Sequence, residues 1–209
     1  MTRGLFLSLD GLDGTGKSTQ CRLLAEWLRA RGATVTECSD PGGTAIGNVI
    51  RSLLLEHRGE MALTCEAFLF MASRAQLTAD VIRPALDAGG IVVSDRYSLA
   101  NVVYQGHAGG LDPEALWTLG RLATDGLEPD LTIVLDLPLE QALRRRGRPA
   151  DRVESRAAEY HQRVREGFLT EAGRRPERIR VVDASGPVEV VHAQICQEVS
   201  RVVAAGARA

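Results

Sequence analysis

Apolar residues along this chain fall into two alternating kinds of run. LFLSLD (5–10), ATVTEC (33–38), IVVSD (91–95), LTIVLD (131–136) and RIRVVD (178–183) are short and rich in β-branched or aliphatic residues. Such runs predict five strands buried on both faces of a parallel sheet. Between them the apolar positions take up helical spacing, as at Leu23, Leu24, Trp27 and Leu28, before Gly32, a favourable residue for ending a helix. Asp112-Pro113 reads as a helix N-cap followed by a first-turn proline. Strand and helix in alternation imply an α/β fold of three layers with right-handed crossovers and ligands at the carboxyl ends of the strands. Asp10, Asp95, Asp136 and Asp183 all fall at such ends, so the chemistry is expected to gather there.

The loop after the first strand sharpens this picture. In GLDGTGKST (11–19), Gly11, Gly16, Lys17 and Ser18 satisfy G-x-x-x-x-G-K-[ST] between a strand and a helix. Glycines let backbone N–H groups wrap phosphates closely, Lys17 reaches the β and γ phosphates, and the Ser18 hydroxyl suits Mg²⁺. The expectation is a P-loop NTPase fold that binds a nucleoside triphosphate, ATP, with Mg²⁺. Asp13 is the informative oddity, because a carboxylate among phosphate oxygens loses several kcal/mol in a partly desolvated site. Its side chain should therefore face a second ligand, as in a kinase acting on a small acceptor.

Three further segments fit that reading. Asp95-Arg96-Tyr97 ends the third strand, where a carboxylate can support metal-bound water and a fixed guanidinium can bridge two phosphates. Phe70 and Arg74, four residues apart in FMASR, can grip one flat heterocycle from the same helical face. LRRRGRPADRVESR clusters Arg144, Arg145, Arg146, Arg148 and Arg152 around Gly147 and Pro149, which beside a P-loop suggests a mobile lid over about 143–156.

Composition removes other classes. With 209 residues the chain is expected to form one domain, 1–209, and 25 Lys plus Arg against 27 Asp plus Glu leave a net charge of −2. That balance gives no footprint for nucleic acid or a membrane surface, and no apolar stretch approaches the roughly 18 residues of a membrane span. A cytoplasmic protein is expected. The four cysteines show neither metal-ligand nor disulfide spacing.

The ordered set GLDGTGKST, DPGGT, RSLLLE, FxxxR, DRY, YQG, DRVE and VRxGF resembles thymidylate kinase, the nucleoside monophosphate kinase family that converts dTMP to dTDP, from Leu5 to about Val190. The resemblance implies a five-stranded parallel sheet flanked by helices with a lid, Mg²⁺ as cofactor, and a homodimer, for which the apolar helix around Phe68 to Leu77 offers an interface. It implies that Gly11, Leu12, Asp13, Gly14, Thr15, Gly16, Lys17, Ser18 and Thr19 hold ATP, and that Ser18 and Asp95 serve the metal. For dTMP it implies stacking by Phe70, hydrogen bonding from Arg74, Asn101 and Gln105 to the base, Tyr104 beside the deoxyribose, and Arg51 and Arg96 on the phosphate, with Asp13 and Asp40 nearby. Lys17, Arg96, Asp13 and a lid arginine, Arg144 or Arg148, would carry catalysis. Gly14 stands where part of the family has a basic residue, so the arginine is expected from the lid. The family's usual Arg-Glu-Pro-Gly-Gly-Thr is here Ser39-Asp40-Pro41-Gly42-Gly43-Thr44, with the arginine absent and the carboxylate one methylene shorter. A deoxynucleoside kinase shares the fold but acts on a 5′-hydroxyl and needs a general base. A switch GTPase would carry Asn-Lys-x-Asp, which is absent.

Overall fold

A computed structural model describes residues 4–57, 59–145 and 151–206. Five strands, β1 (Leu5–Gly11), β2 (Val35–Ser39), β3 (Ile91–Asp95), β4 (Leu131–Asp136) and β5 (Ile179–Asp183), form one parallel sheet in the order β2-β3-β1-β4-β5. Each anticipated strand is present within two residues at either end. The apolar runs differ in burial, however. The central strands β1, β3 and β4 bury Phe6, Leu9, Val92, Val93, Ile133 and Val134 almost completely, whereas β2 is half-exposed and β5 exposes Val181. Edge strands have one neighbour only, so their polar positions stay wet.

Helix α1 (Lys17–Arg29) packs on β1, β2 and β3, and against α9 (Val188–Gly206), which also covers β4 and β5. The opposite layer holds α3 (Leu63–Leu77), α4 (Arg83–Asp87), α5 (Ser98–Asn101) and α8 (Ala158–Arg174). Helices α2 (Ala45–Glu56), α6 (Pro113–Ala123) and α7 (Leu139–Arg145) complete the α-helices of the described residues. Asp112 caps α6 as its sequence predicts: its carboxylate accepts from the Glu114 amide at 3.0 Å and Pro113 fills the first turn. Between α3 and α4 the chain widens into a π-helical turn, Thr78–Ile82, just before Pro84, whose missing N–H the wider turn accommodates.

Register brings the loops together. Asp95 pairs with Leu9 on one side and with Ser39 on the other, so the loops after β1, β2 and β3 leave the sheet side by side. The connection from β1 runs one way to β2 and that from β3 runs the other way to β4, which opens a crevice at this carboxyl edge.

Candidate active site

The crevice is a cavity of about 540 Å³, a size suited to small ligands. Residues of the first loop that line it are Asp13, Gly14, Gly16, Lys17, Ser18 and Thr19. Gly11, Leu12 and Thr15 support them from behind: the Leu12 carbonyl accepts from Thr15 Oγ1 and from Lys17 Nζ, both at 2.8 Å. Gly14 adopts φ +88°, and a Cβ there would sit 2.1 Å from the Ala142 carbonyl of α7. A basic side chain at position 14 could enter only by displacing α7, a physical reason for glycine here.

The Asp13 carboxylate faces Arg96 and Tyr104. Its Oδ1 accepts from Arg96 at 2.6 Å and its Oδ2 from the Tyr104 hydroxyl at 3.2 Å. Lys17 Nζ approaches Oδ1 only to 3.5 Å. Burial opposes ionisation of Asp13, but Arg96, Lys17 and the hydrogen bonds outweigh it and hold the acid well below its usual range. Burial and the neighbouring Arg96 charge lower the Lys17 pKa against the pull of Asp13 and Asp95.

Arg96 is the pivot of the site. Its backbone is left-handed at φ +70°, a strained conformation for a residue other than glycine. Strain is tolerated because the surroundings fix it: its amide donates to Leu9, its carbonyl accepts from Ser94 Oγ, and its guanidinium reaches Gly11 O at 3.0 Å and Asp13. The guanidinium also lies 5.0 Å over the Tyr104 ring. Despite burial, the carboxylates and Tyr104 around it push its pKa well above the usual arginine value.

Beside the glycine-rich loop, Ser18 Oγ donates to Asp95 Oδ2 at 2.6 Å. This pair supplies hard oxygen donors of the kind Mg²⁺ takes when it keeps several waters and phosphate oxygens. Among the described residues no cluster of three or more His, Cys, Asp or Glu is placed to hold a metal. Of the four strand-end aspartates only Asp95 lines the cavity. Asp136 forms a two-pronged ion pair with Arg165, and Asp183 accepts from the Ser185 amide. Asp10 is completely buried, and neither of its carboxylate oxygens has a hydrogen-bond partner among the described residues. Burial, assisted by Asp95, pushes its pKa up to about 7 against Arg96 and Lys17.

The other end of the cavity carries Phe70, half-buried on α3, with Arg74 one turn further along. Arg74 is 1 % exposed, held by Asp40 at 2.5 Å on Nε and by Asn101 Oδ1 at 3.2 Å on Nη1. The shorter carboxylate of Asp40 thus orders Arg74 at this end of the site. Asp40 is itself buried, and desolvation raises its pKa against Arg74. Asn101 closes α5 and is followed by a π-helical segment, Val102–His107, which carries Tyr104 and Gln105. π-Helical turns recur at functional sites because they re-aim side chains. Arg51 also lines the cavity and donates to the Pro41 carbonyl at 2.6 Å.

The arginine-rich run divides. Arg144 is 72 % exposed on the outer side of α7, 3.7 Å from Glu140. Arg145, expected in the lid cluster but not singled out as its catalytic arginine, lines the cavity and donates to the Ala184 and Ser185 carbonyls at 2.7 and 2.9 Å. Arg148 lies outside the described residues, as do the neighbouring positions 146–150 of the expected lid. Asp151, Val153 and Glu154 also line the cavity and were not anticipated as site residues. Only the fold shows that the chain returns there after α7.

The family model for thymidylate kinase matches residues 9–195. The chain is 48% identical over 188 residues to the thymidylate kinase of Rhodopirellula baltica, covering 90% of this chain and 77% of that protein. To that of Symbiobacterium thermophilum it is 47% identical over 202 residues, 95% of this chain and 94% of its relative. The crystal structure of thymidylate kinase from Ehrlichia chaffeensis superimposes with a TM-score of 0.78 at 28% identity, covering 94% of this chain and 99% of that one. With matches spanning nearly its whole length, this chain belongs to the thymidylate kinase family.

Proposed function

We propose that the protein transfers the γ-phosphoryl group of ATP to dTMP, giving dTDP and ADP. The observation that carries this reading is one cavity lined together by the glycine-rich loop, by Phe70, Arg74 and Asn101, and by the Asp13–Arg96 pair. The slot's aromatic plane and fixed polar edge suit a nucleobase, with Gln105 behind Asn101. Arg51 and Arg96 face the position where an acceptor phosphate would lie, and Tyr104 stands beside the sugar.

A dTMP phosphate is already an anionic nucleophile, so no general base is needed and catalysis is alignment plus neutralisation of charge. Lys17 neutralises the donor phosphates, and Arg96, held by Asp13, fixes the acceptor phosphate in line. Arg145 adds a cation to the lining of the cavity. Ser18 and Asp95 would hold Mg²⁺, which when bound lends further positive charge to the donor phosphates.

Helix α2 exposes Ile46, Val49 and Leu53 at helical spacing, and α3, which packs against it, exposes Phe68. This apolar stripe suits a second copy of the chain, and a homodimer is part of the proposal. The expected interface shifts accordingly, because Met71 and Leu77 of the 68–77 segment are buried in the core. Among the described residues no helix is long and apolar enough to cross a membrane. The cytoplasm, where ATP and dTMP meet, is the proposed location.

A coupled assay comparing dTMP, dUMP, dCMP and thymidine as acceptors tests the reading. dTMP should be the preferred acceptor, and thymidine slower by about 10²-fold or more, since it leaves Arg51 and Arg96 without a phosphate partner. Comparable turnover of thymidine would favour a deoxynucleoside kinase.

A further inference from the structure

Behind the base slot runs a chain of buried polar groups that ends outside the cavity. Arg74 donates to Asn101 Oδ1, Asn101 Nδ2 donates to Gln105 Oε1 at 2.6 Å, and Gln105 Nε2 donates to Glu66 Oε1 at 2.8 Å. Glu66, on α3, is fully buried. Its second oxygen, Oε2, accepts from Arg152 at 2.5 Å and from Arg156 at 2.6 Å. Glu66, Arg152 and Arg156 stand outside the cavity's lining, whereas Asp151, Val153 and Glu154, interleaved with those arginines, form part of it.

The ends of this chain dictate its middle. A guanidinium only donates and a carboxylate only accepts, whereas each amide can be turned over to exchange the two roles. Between Arg74 at one end and Glu66 at the other, one orientation of Asn101 and Gln105 satisfies every pair. If Gln105 turned over, two acceptors would meet at Glu66 and two donors at Asn101. Asn101 would then have to turn as well, and its amide donors would face Arg74. Burial makes each such mismatch expensive, because no water reaches these atoms to compensate.

We propose that Glu66 is a positioning residue that sets the hydrogen-bonding direction of Gln105 and Asn101 at the base slot and couples their order to segment 151–156 through Arg152 and Arg156. The inference rests on the dTMP reading. The same carboxylate that fixes the base-reading amides anchors the segment bringing Asp151, Val153 and Glu154 to the cavity. Arg152 is further tied to α2 by its Nε on the Leu54 carbonyl at 2.7 Å and its amide on the Leu55 carbonyl at 3.2 Å. The segment therefore has a rigid anchor on one side and the base-reading chain on the other. Coupling is reciprocal, so ligand at the base slot should order 151–156, and loosening 151–156 should weaken that ligand.

Glu66→Gln keeps the size of the side chain but puts a donor where an acceptor is required, against Gln105 or against the arginines. The test measures KM for dTMP and for ATP, together with hydrogen exchange across 151–156 with and without saturating dTMP, in wild type, Glu66→Gln, Arg156→Gln and the double variant. The amides of Val153 and Glu154 bond to Asp151 Oδ1 and that of Ser155 to the Asp151 carbonyl, so their exchange reports the order of the segment. dTMP should slow that exchange at least about 5-fold in wild type and less than about 2-fold in Glu66→Gln. KM for dTMP should rise about 10-fold in Glu66→Gln and about 3-fold in Arg156→Gln, with KM for ATP nearly unchanged. The Arg156→Gln effect should disappear in the Glu66→Gln background. Equal dTMP-dependent protection in wild type and Glu66→Gln, or an Arg156→Gln effect that persists there, would overturn the proposal. Should Glu66→Gln fail to fold, an unchanged dTMP KM in Arg156→Gln overturns it alone, and a selective rise supports it. A wild type that turns over dTMP while these signatures are missing leaves the function standing and removes the coupling. A wild type that does not accept dTMP removes both.

Discussion

Replacing Asp13 by Asn separates the two sides of the cavity. The carboxylate holds Arg96 by a charge-assisted hydrogen bond of 2.6 Å and accepts from Tyr104 at 3.2 Å, while Lys17 lies at 3.5 Å, the outer limit of such a bond. The amide keeps one acceptor and the same shape but loses the charge. A charge-assisted bond contributes about 1.5–3 kcal/mol and a neutral one about 0.5–1.5 kcal/mol, so Arg96 loses about 1–2 kcal/mol of restraint. At 1.4 kcal/mol per tenfold, kcat/KM for dTMP should fall about 5- to 30-fold. Because the Lys17 contact is long, KM for ATP should stay within about 2-fold. Steady-state kinetics with each substrate varied at saturation of the other measures both. The depressed acidity of Asp13 keeps it ionised at working pH, so the defect should be constant from about pH 5.5 to about pH 9. The ion pair's contribution to stability is present above the ordinary carboxylate range near pH 4 and is lost as pH falls below it. Asp13→Asn should lack that acid-side loss. A defect confined to ATP, with dTMP kinetics unchanged, would refute this placement of the carboxylate.

Lys17→Ala should fold and lose about 10²-fold or more in kcat, and near-normal turnover would remove Lys17 from the donor-phosphate site. Arg74→Gln should raise KM for dTMP far more than that for ATP, and should lower Tm because it leaves Asp40 buried without its cation; an unchanged Tm in thermal unfolding would contradict the buried pair. The raised pKa of Asp10 means that the folded state holds its proton more tightly than the unfolded chain, so this residue should make stability fall as pH rises from about 4 to about 7. Asp10→Asn should be free of that part of the fall, and parallel Tm–pH curves for the two proteins would refute it. Val49→Glu, on the exposed stripe of α2, should give a monomer by light scattering, and a retained dimer would place the interface elsewhere.

The sequence by itself determined what local chemistry can encode. Five apolar runs became five strands, because strands covered by helices on both faces are written largely in aliphatic and β-branched residues. The Asp112 cap and the glycines at positions 11, 14 and 16 followed from backbone demands that few residues meet. The expectation that Asp13 faces away from the phosphates rests on charge repulsion, which is independent of the fold, and its carboxylate lies against Arg96 and Tyr104. The four-residue spacing of Phe70 and Arg74 sufficed to put both at one slot. Tertiary structure alone decided which strand-end aspartates reach the cavity, because register and strand order, invisible in any one strand, turned Asp136 to Arg165 and sealed Asp10 in the core. It likewise decided which arginine beside α7 lines the cavity, since one residue along a helix turns the side chain by about 100°. Glu66 carried no local signal. On α3 it reads as an ordinary first-turn acid, and its role exists only because residues 105, 152 and 156, distant along the chain, converge on its two oxygens.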